Sequence, residues 1–152
     1  MKILDVLNTS AINLNLKAKD KKGILEELVA PVAEFSGAGH EKLVKVLMDR
    51  ERLGSTGIGG GIGIPHGKLR HLNDSILGFG LSRDGVDFES MDGRPTHIFF
   101  LLLTPESSAG MHLKLLARIS RLLKNDNLKE RLMQAHTAQD VVDVIQEEDE
   151  EF

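Results

Sequence analysis

The chain has six histidines and no cysteine, which removes thiolate nucleophiles, disulfides and Cys-based zinc sites and leaves the imidazoles as candidates for chemistry. One histidine has an unusual setting. His66 closes the run Gly54-Ser-Thr-Gly-Ile-Gly-Gly-Gly-Ile-Gly-Ile-Pro-His-Gly67. Each interior glycine costs a helix about 1 kcal/mol relative to alanine, so this run is no stable helix. Glycine permits backbone angles and close approaches that other residues avoid. Pro65 fixes its own φ and drives Ile64 toward extended geometry. Together they would hold an imidazole at the mouth of a strand with little cover, open to in-line contact with a reactive group on another protein. The ordinary histidine pKa of about 6.5 leaves the ring mostly neutral at cytosolic pH, so that a ring nitrogen has a lone pair to offer. On spacing alone, a glycine-rich loop that turns beside a bystander histidine fits as well.

The other histidines carry less. His40, His71 and His136 lie among polar or loop-forming neighbours and read as ordinary residues, and His97 opens an apolar stretch and reads as a satisfied sheet residue. There is no His-x-His pair and no His-Glu-x-x-His helix, so a zinc site, and with it a metal-dependent hydrolase, has little support.

The elements that must position His66 follow from periodicity. Ile12-Asn-Leu-Asn-Leu16 alternates as a half-buried strand does. Lys21 to Phe35 has helical spacing, with a kink or unusual turn expected at Pro31, and Ser36-Gly-Ala-Gly39 ends it. Glu41 to Arg52 reads as a second helix. Ile76–Leu81 and His97–Leu103 are short apolar runs, the second apolar on both faces as a central covered strand is. Asp84-Gly85 and Asp92-Gly93 mark turns. Met111 to Lys124 reads as a helix with Leu113, Leu116, Ser120 and Leu123 in step. Asp126 or Asn127 is expected to cap a short helix through Ala135. Thr137 and Asp140 form a capping-box-like start for a last helix through about Gln146. The pattern implies one α/β domain, a three-layer sandwich with a mixed central sheet flanked by helices on both faces, over residues 1–146. Five consecutive acids from Glu147 to Glu151 read as the start of a solvated, disordered tail over 147–152.

Composition narrows the partners. The net charge is −4, and six phenylalanines are the only aromatic residues besides histidine. No basic footprint is visible and base-stacking platforms are scarce, which argues against nucleic acid. No stretch approaches the ~18 apolar residues of a membrane span, and Met1–Asn8 lacks the apolar run of a secretory signal. A cytoplasmic protein is expected.

The segment Arg50-Glu-Arg-Leu-Gly-Ser-Thr-Gly-Ile-Gly-Gly-Gly-Ile-Gly-Ile-Pro-His-Gly-Lys68 resembles the active-site segment of the mannitol/fructose-type enzyme IIA family of the bacterial sugar phosphotransferase system. Within that family it is most similar to the nitrogen-regulatory branch, and the likeness extends over nearly the whole chain. The resemblance implies that His66 is the phosphorylated histidine. It implies that His112, in Gly110-Met-His-Leu-Lys-Leu-Leu116, is a second active-site histidine, and that Arg50, sixteen residues before His66, faces the phosphate. A histidine near a helix start can hydrogen-bond a phosphoryl oxygen, and arginine can neutralise charge on the equatorial oxygens. No metal or cofactor is implied. The implied donor is a small HPr-like phosphocarrier with a phosphohistidine, and the implied recipients are regulatory protein targets. A sugar-specific IIA passing phosphate to a separate IIB is the alternative within the same chemistry; an anion-binding sensor that transfers nothing is the alternative outside it. Many family members carry alanine where this chain has Gly63, a small-for-small change expected to add only backbone freedom. The sequence does not display which imidazole nitrogen is phosphorylated.

Overall fold

The computed structural model describes residues 2–149. A short 3-10 turn at Ile3–Asp5 leads into strand β1 (Leu7–Asn13) and helices α1 (Lys21–Ser36) and α2 (His40–Glu51). The glycine-rich segment forms three short strands, β2 (Gly57–Gly59), β3 (Ile62–Gly63) and β4 (His66–Leu69). Then come the long strands β5 (Ile76–Val86) and β6 (Thr96–Pro105) and helices α3 (Ala109–Leu122), α4 (Asp126–Met133) and α5 (Ala138–Glu148).

The sheet is mixed. Its order is β1-β5-β6-β3-β2, with β4 also paired to β6. β5 runs antiparallel to β6, and β3 and β4 run parallel along the other edge of β6. Side chains alternate across β6 as strand geometry requires. Ile98, Phe100 and Leu102 pack in a core with α3, α4 and α5, whereas Phe99, Leu101 and Leu103 pack in a second core with α1 and α2. This is the three-layer α/β sandwich. In β5, Gly80 lets α1 lie close to the sheet, since a Cβ there would fall 2.5 Å from Leu28 Cδ2.

Several boundaries differ from the sequence expectation. β1 begins earlier and ends at Asn13, where the Asn13 side chain accepts from the Asn15 amide at 2.9 Å and turns the chain off the ladder. α1 continues through Pro31 to Ser36. Asp84-Gly85 lies within β5, at an irregularity of the β5–β6 ladder where Gly85 has φ 84°. The cap of α4 is Asn125, whose side chain accepts from the Leu128 amide. The Thr137–Asp140 capping box is present. α3 buries His112, Leu115 and Ile119, a stripe one residue out of step with the Leu113 spacing.

The expected tail also changes. Glu147 and Glu148 belong to α5 and pair with Arg131. The Asp149 carboxylate is buried, accepting from the Ile3 amide and from Arg118 Nε, each at 2.6 Å. These basic and amide partners offset the repulsion expected of an acidic run. Residues 150–152 of that expected tail lie outside the described residues. Among the described residues no helix is long and apolar enough to cross a membrane.

Candidate functional site

The site lies on the outer edge of β6, where β3 and β4 are successive parts of one parallel segment. Ile62 and Gly63 pair with Ile98 and Phe99, and His66 to Leu69 resume with Leu102 to Pro105. Ile64-Pro65 interrupts the ladder, because proline has no N–H to give. Upstream, Gly59, Gly60 and Gly61 have φ of 93°, 67° and 82°, a left-handed turn that reverses β2 into β3.

At the interruption the Ile64 carbonyl meets His66 Nδ1 at 2.7 Å. A carbonyl only accepts, so Nδ1 carries the ring proton. Arg50 Nε approaches His66 Nε2 at 3.3 Å. A guanidinium only donates, so Nε2 presents its lone pair. Two hydrogen bonds thus fix one neutral tautomer.

Arg50 reaches the ring because α2 packs tightly on β4. A Cβ at Gly67 would sit 2.7 Å from Val46 Cγ1, and Val46 lies one helical turn before Arg50 on the same face. Arg50 Nη1 also donates to the Gly54 carbonyl at 2.9 Å. The next residue anchors the segment: buried Glu51 accepts from the Thr56 amide at 3.0 Å and from the Thr56 hydroxyl, and pairs with Lys21 at 3.1 Å. The end of α2 is thereby tied to the start of the glycine-rich run.

His112, in the first turn of α3, brings its ring centroid to 5.3 Å from that of His66. Its Nδ1 lies 2.6 Å from the Thr104 hydroxyl. Arg50, His66 and His112, far apart in sequence, therefore line one open depression of about 450 Å³. Lys68 also lines it. Sequence reading did not single Lys68 out, although a residue two positions after His66 on a strand shares its face. Leu53 and Leu113 stand at the rim, 84% and 67% exposed.

Burial keeps both imidazoles neutral. The His66 pKa is lowered first by burial and further by the charges of Arg50 and Lys68, against the raising effects of the Ile64 carbonyl and Glu51. That of His112 falls to about 4, through burial and then the charges of His66 and Lys68.

The remaining histidines lie elsewhere. His40 begins α2, His71 takes a left-handed φ of 63° in the turn after β4, and the His136 amide donates to Asp140. His97 Nδ1 donates to the Ser82 carbonyl at 3.0 Å, as suits a satisfied sheet residue. Gly63 has a packing reason beyond backbone freedom: a Cβ there would meet the Phe99 ring at 3.2 Å and Thr96 Cγ2 at 3.3 Å.

The family model "Phosphoenolpyruvate-dependent sugar phosphotransferase system, EIIA 2" matches residues 5–148. The chain belongs to that family. It is accordingly a phosphocarrier of the phosphotransferase type. It is 43% identical over 146 residues to a nitrogen regulatory protein of Bradyrhizobium diazoefficiens, covering 95% of each chain. It is 35% identical over 150 residues to the fructose-specific EIIABC component of Bacillus subtilis, covering 98% of this chain and 24% of that protein. Among solved structures, the nitrogen regulatory protein IIA-Ntr of Neisseria meningitidis superposes with a TM-score of 0.88 at 32% identity, over 93% of this chain and 97% of that one.

Proposed function

We propose that this chain is a cytoplasmic phosphocarrier of nitrogen regulation that takes a phosphoryl group onto Nε2 of His66 from the phosphohistidine of an HPr-like protein. The observation that carries this reading is the pinned tautomer: the His66 Nε2 lone pair accepts from Arg50, and both residues line one depression with Lys68 and His112.

In the transfer, the Nε2 lone pair forms the new P–N bond as the donor's P–N bond breaks, its electron pair returning to the donor nitrogen. The ring gains positive charge, and the Nδ1–H bond to the Ile64 carbonyl stabilises it. Arg50 turns from the ring nitrogen to the phosphoryl oxygens, and Lys68 supplies further positive charge beside them. His112 donates to an oxygen from the other side. Pre-positioned cations and donors of this kind are the main catalytic resource of phosphoryl transfer. The exposed Leu53 and Leu113 suit a partner that covers the depression and excludes water. The phosphate then alters the charge of this surface, which selects regulatory targets that differ between the two states.

Incubation with a phosphorylated HPr-like protein, followed by intact-mass measurement, tests the reading. A gain of one phosphoryl group is expected in the wild type and none in His66→Ala. A wild type that binds anions yet gains no mass would make the chain a sensor instead. The fructose-specific likeness favours a second reading, in which the phosphate passes to a separate IIB. Transfer from the phosphorylated chain to candidate IIB proteins would separate transport from regulation.

A further inference from the structure

Thr104 and His112 form a buried pair whose proton arrangement has a consequence for the site. Thr104 lies on β6 opposite Lys68 of β4, two positions beyond the Leu102 that pairs with His66. It is fully buried, His112 is 5% exposed, and Thr104 Oγ1 lies 2.6 Å from His112 Nδ1.

Two arrangements are chemically possible. If Nδ1–H donates to the hydroxyl oxygen, the hydroxyl proton needs an acceptor of its own; among the described residues the Thr104 hydroxyl has no hydrogen-bond partner besides His112. A buried donor left unmade is disfavoured. That arrangement also leaves a lone pair on Nε2, which would repel phosphoryl oxygens. If the hydroxyl donates to the Nδ1 lone pair, its proton is satisfied and the ring proton sits on Nε2.

We propose that Thr104 is a positioning residue that holds His112 in the Nε2–H tautomer, so that a neutral imidazole donates a hydrogen bond to the phosphoryl group carried by His66. The inference rests on the phosphocarrier reading above. The two rings then act oppositely because their Nδ1 atoms meet opposite partners. A carbonyl acceptor makes His66 Nε2 a nucleophile, and a hydroxyl donor makes His112 Nε2 a hydrogen-bond donor. Burial beside cationic groups keeps His112 neutral, so the donor role depends on the tautomer and not on protonation.

Imidazole 15N NMR of the unphosphorylated protein reads the tautomer with no phosphoryl donor present. The expected wild-type signal for His112 is a protonated Nε2 and an unprotonated Nδ1. Thr104→Val should shift His112 toward the Nδ1–H form and slow phosphoryl transfer about tenfold, a single hydrogen bond's effect. Thr104→Ser should restore both. A wild-type His112 protonated on Nδ1 overturns the inference, whether or not Thr104→Val folds. So does Thr104→Val with an unchanged tautomer, or with a changed tautomer and an unchanged transfer rate. A wild type that shows the expected tautomer but accepts no phosphate would instead sink the phosphocarrier reading.

Discussion

Two histidines, one on β6 and one on the neighbouring β4, use the same backbone device to different ends. His66 on β4 gives its Nδ1 proton to the Ile64 carbonyl at 2.7 Å, and His97 near the start of β6 gives its own to the Ser82 carbonyl at 3.0 Å. Each ring is half-buried, beside the same glycine-rich segment. At His97 the nearby cation is committed, because Lys129 pairs with Asp126 at 3.2 Å and donates to the Gly60 carbonyl at 3.3 Å. At His66 the cation is aimed at the ring nitrogen itself, a second imidazole stands 5.3 Å away, and apolar side chains rim the depression. A fixed tautomer therefore does not by itself set His66 apart. A cation, a second ring and an apolar rim converge on His66 and not on His97.

The largest effect should separate the two rings outright. His66→Ala is expected to abolish phosphate acceptance from a phosphorylated HPr-like protein, with His97→Ala labelling as fully as wild type. The reverse pattern in an intact-mass measurement would break the comparison. The cations come next. Arg50→Ala should slow single-turnover transfer about 100-fold, as loss of one preorganised donor at developing charge does, whereas Lys129→Ala should leave the rate unchanged.

The pH dependence of stability sharpens the contrast further. His112 has a folded pKa near 4, below the usual histidine value of 6.5, so the unfolded state binds more protons between those values. Stability is then complete above pH 6.5 and declines as pH falls toward 4, by at most roughly 3 kcal/mol. Urea melts at several pH values should show that decline, and His112→Gln should flatten it.

The smallest effects concern packing. Gly67→Ala would place a methyl 2.7 Å from Val46 Cγ1, lifting α2 and Arg50 from β4. A stability loss of about 1–3 kcal/mol and slower transfer are expected. Gly63→Ala, tight against Phe99 but away from Arg50, should cost about 1 kcal/mol or less by urea melts and leave the transfer rate intact. Equal rate losses in the two variants would refute the view that α2 packing on Gly67 delivers Arg50.

Much of this was legible in the residues. The glycine run with its Pro65-His66 end, the apolar run of β6 and the Thr137 box all announce themselves locally, because they depend on backbone freedom, side-chain periodicity and capping. The strand at β1 was misplaced, since the Asn13 side-chain turn that ends it competes with a continuing alternation through Leu16. The face of α3 differs from the periodicity because Leu113 is left at the rim and His112 takes the inward position beside Thr104, against their hydrophobicity. The acids from Glu147 looked like a solvated run because their partners, Arg131, Arg118 and the Ile3 amide, are distant in sequence.

By itself the sequence determined the fold class, the imidazole at the mouth of a strand and, through its family likeness, the company of Arg50 and His112; that the ring is half-buried rather than uncovered came from packing. Tertiary structure alone decided which nitrogen of His66 carries the lone pair, that Lys68 joins the depression, and that Thr104 meets His112. Those facts depend on hydrogen-bond partners and strand register. Partners from separate segments meet only when the sheet and its helices pack, and no local pattern encodes the distance between them.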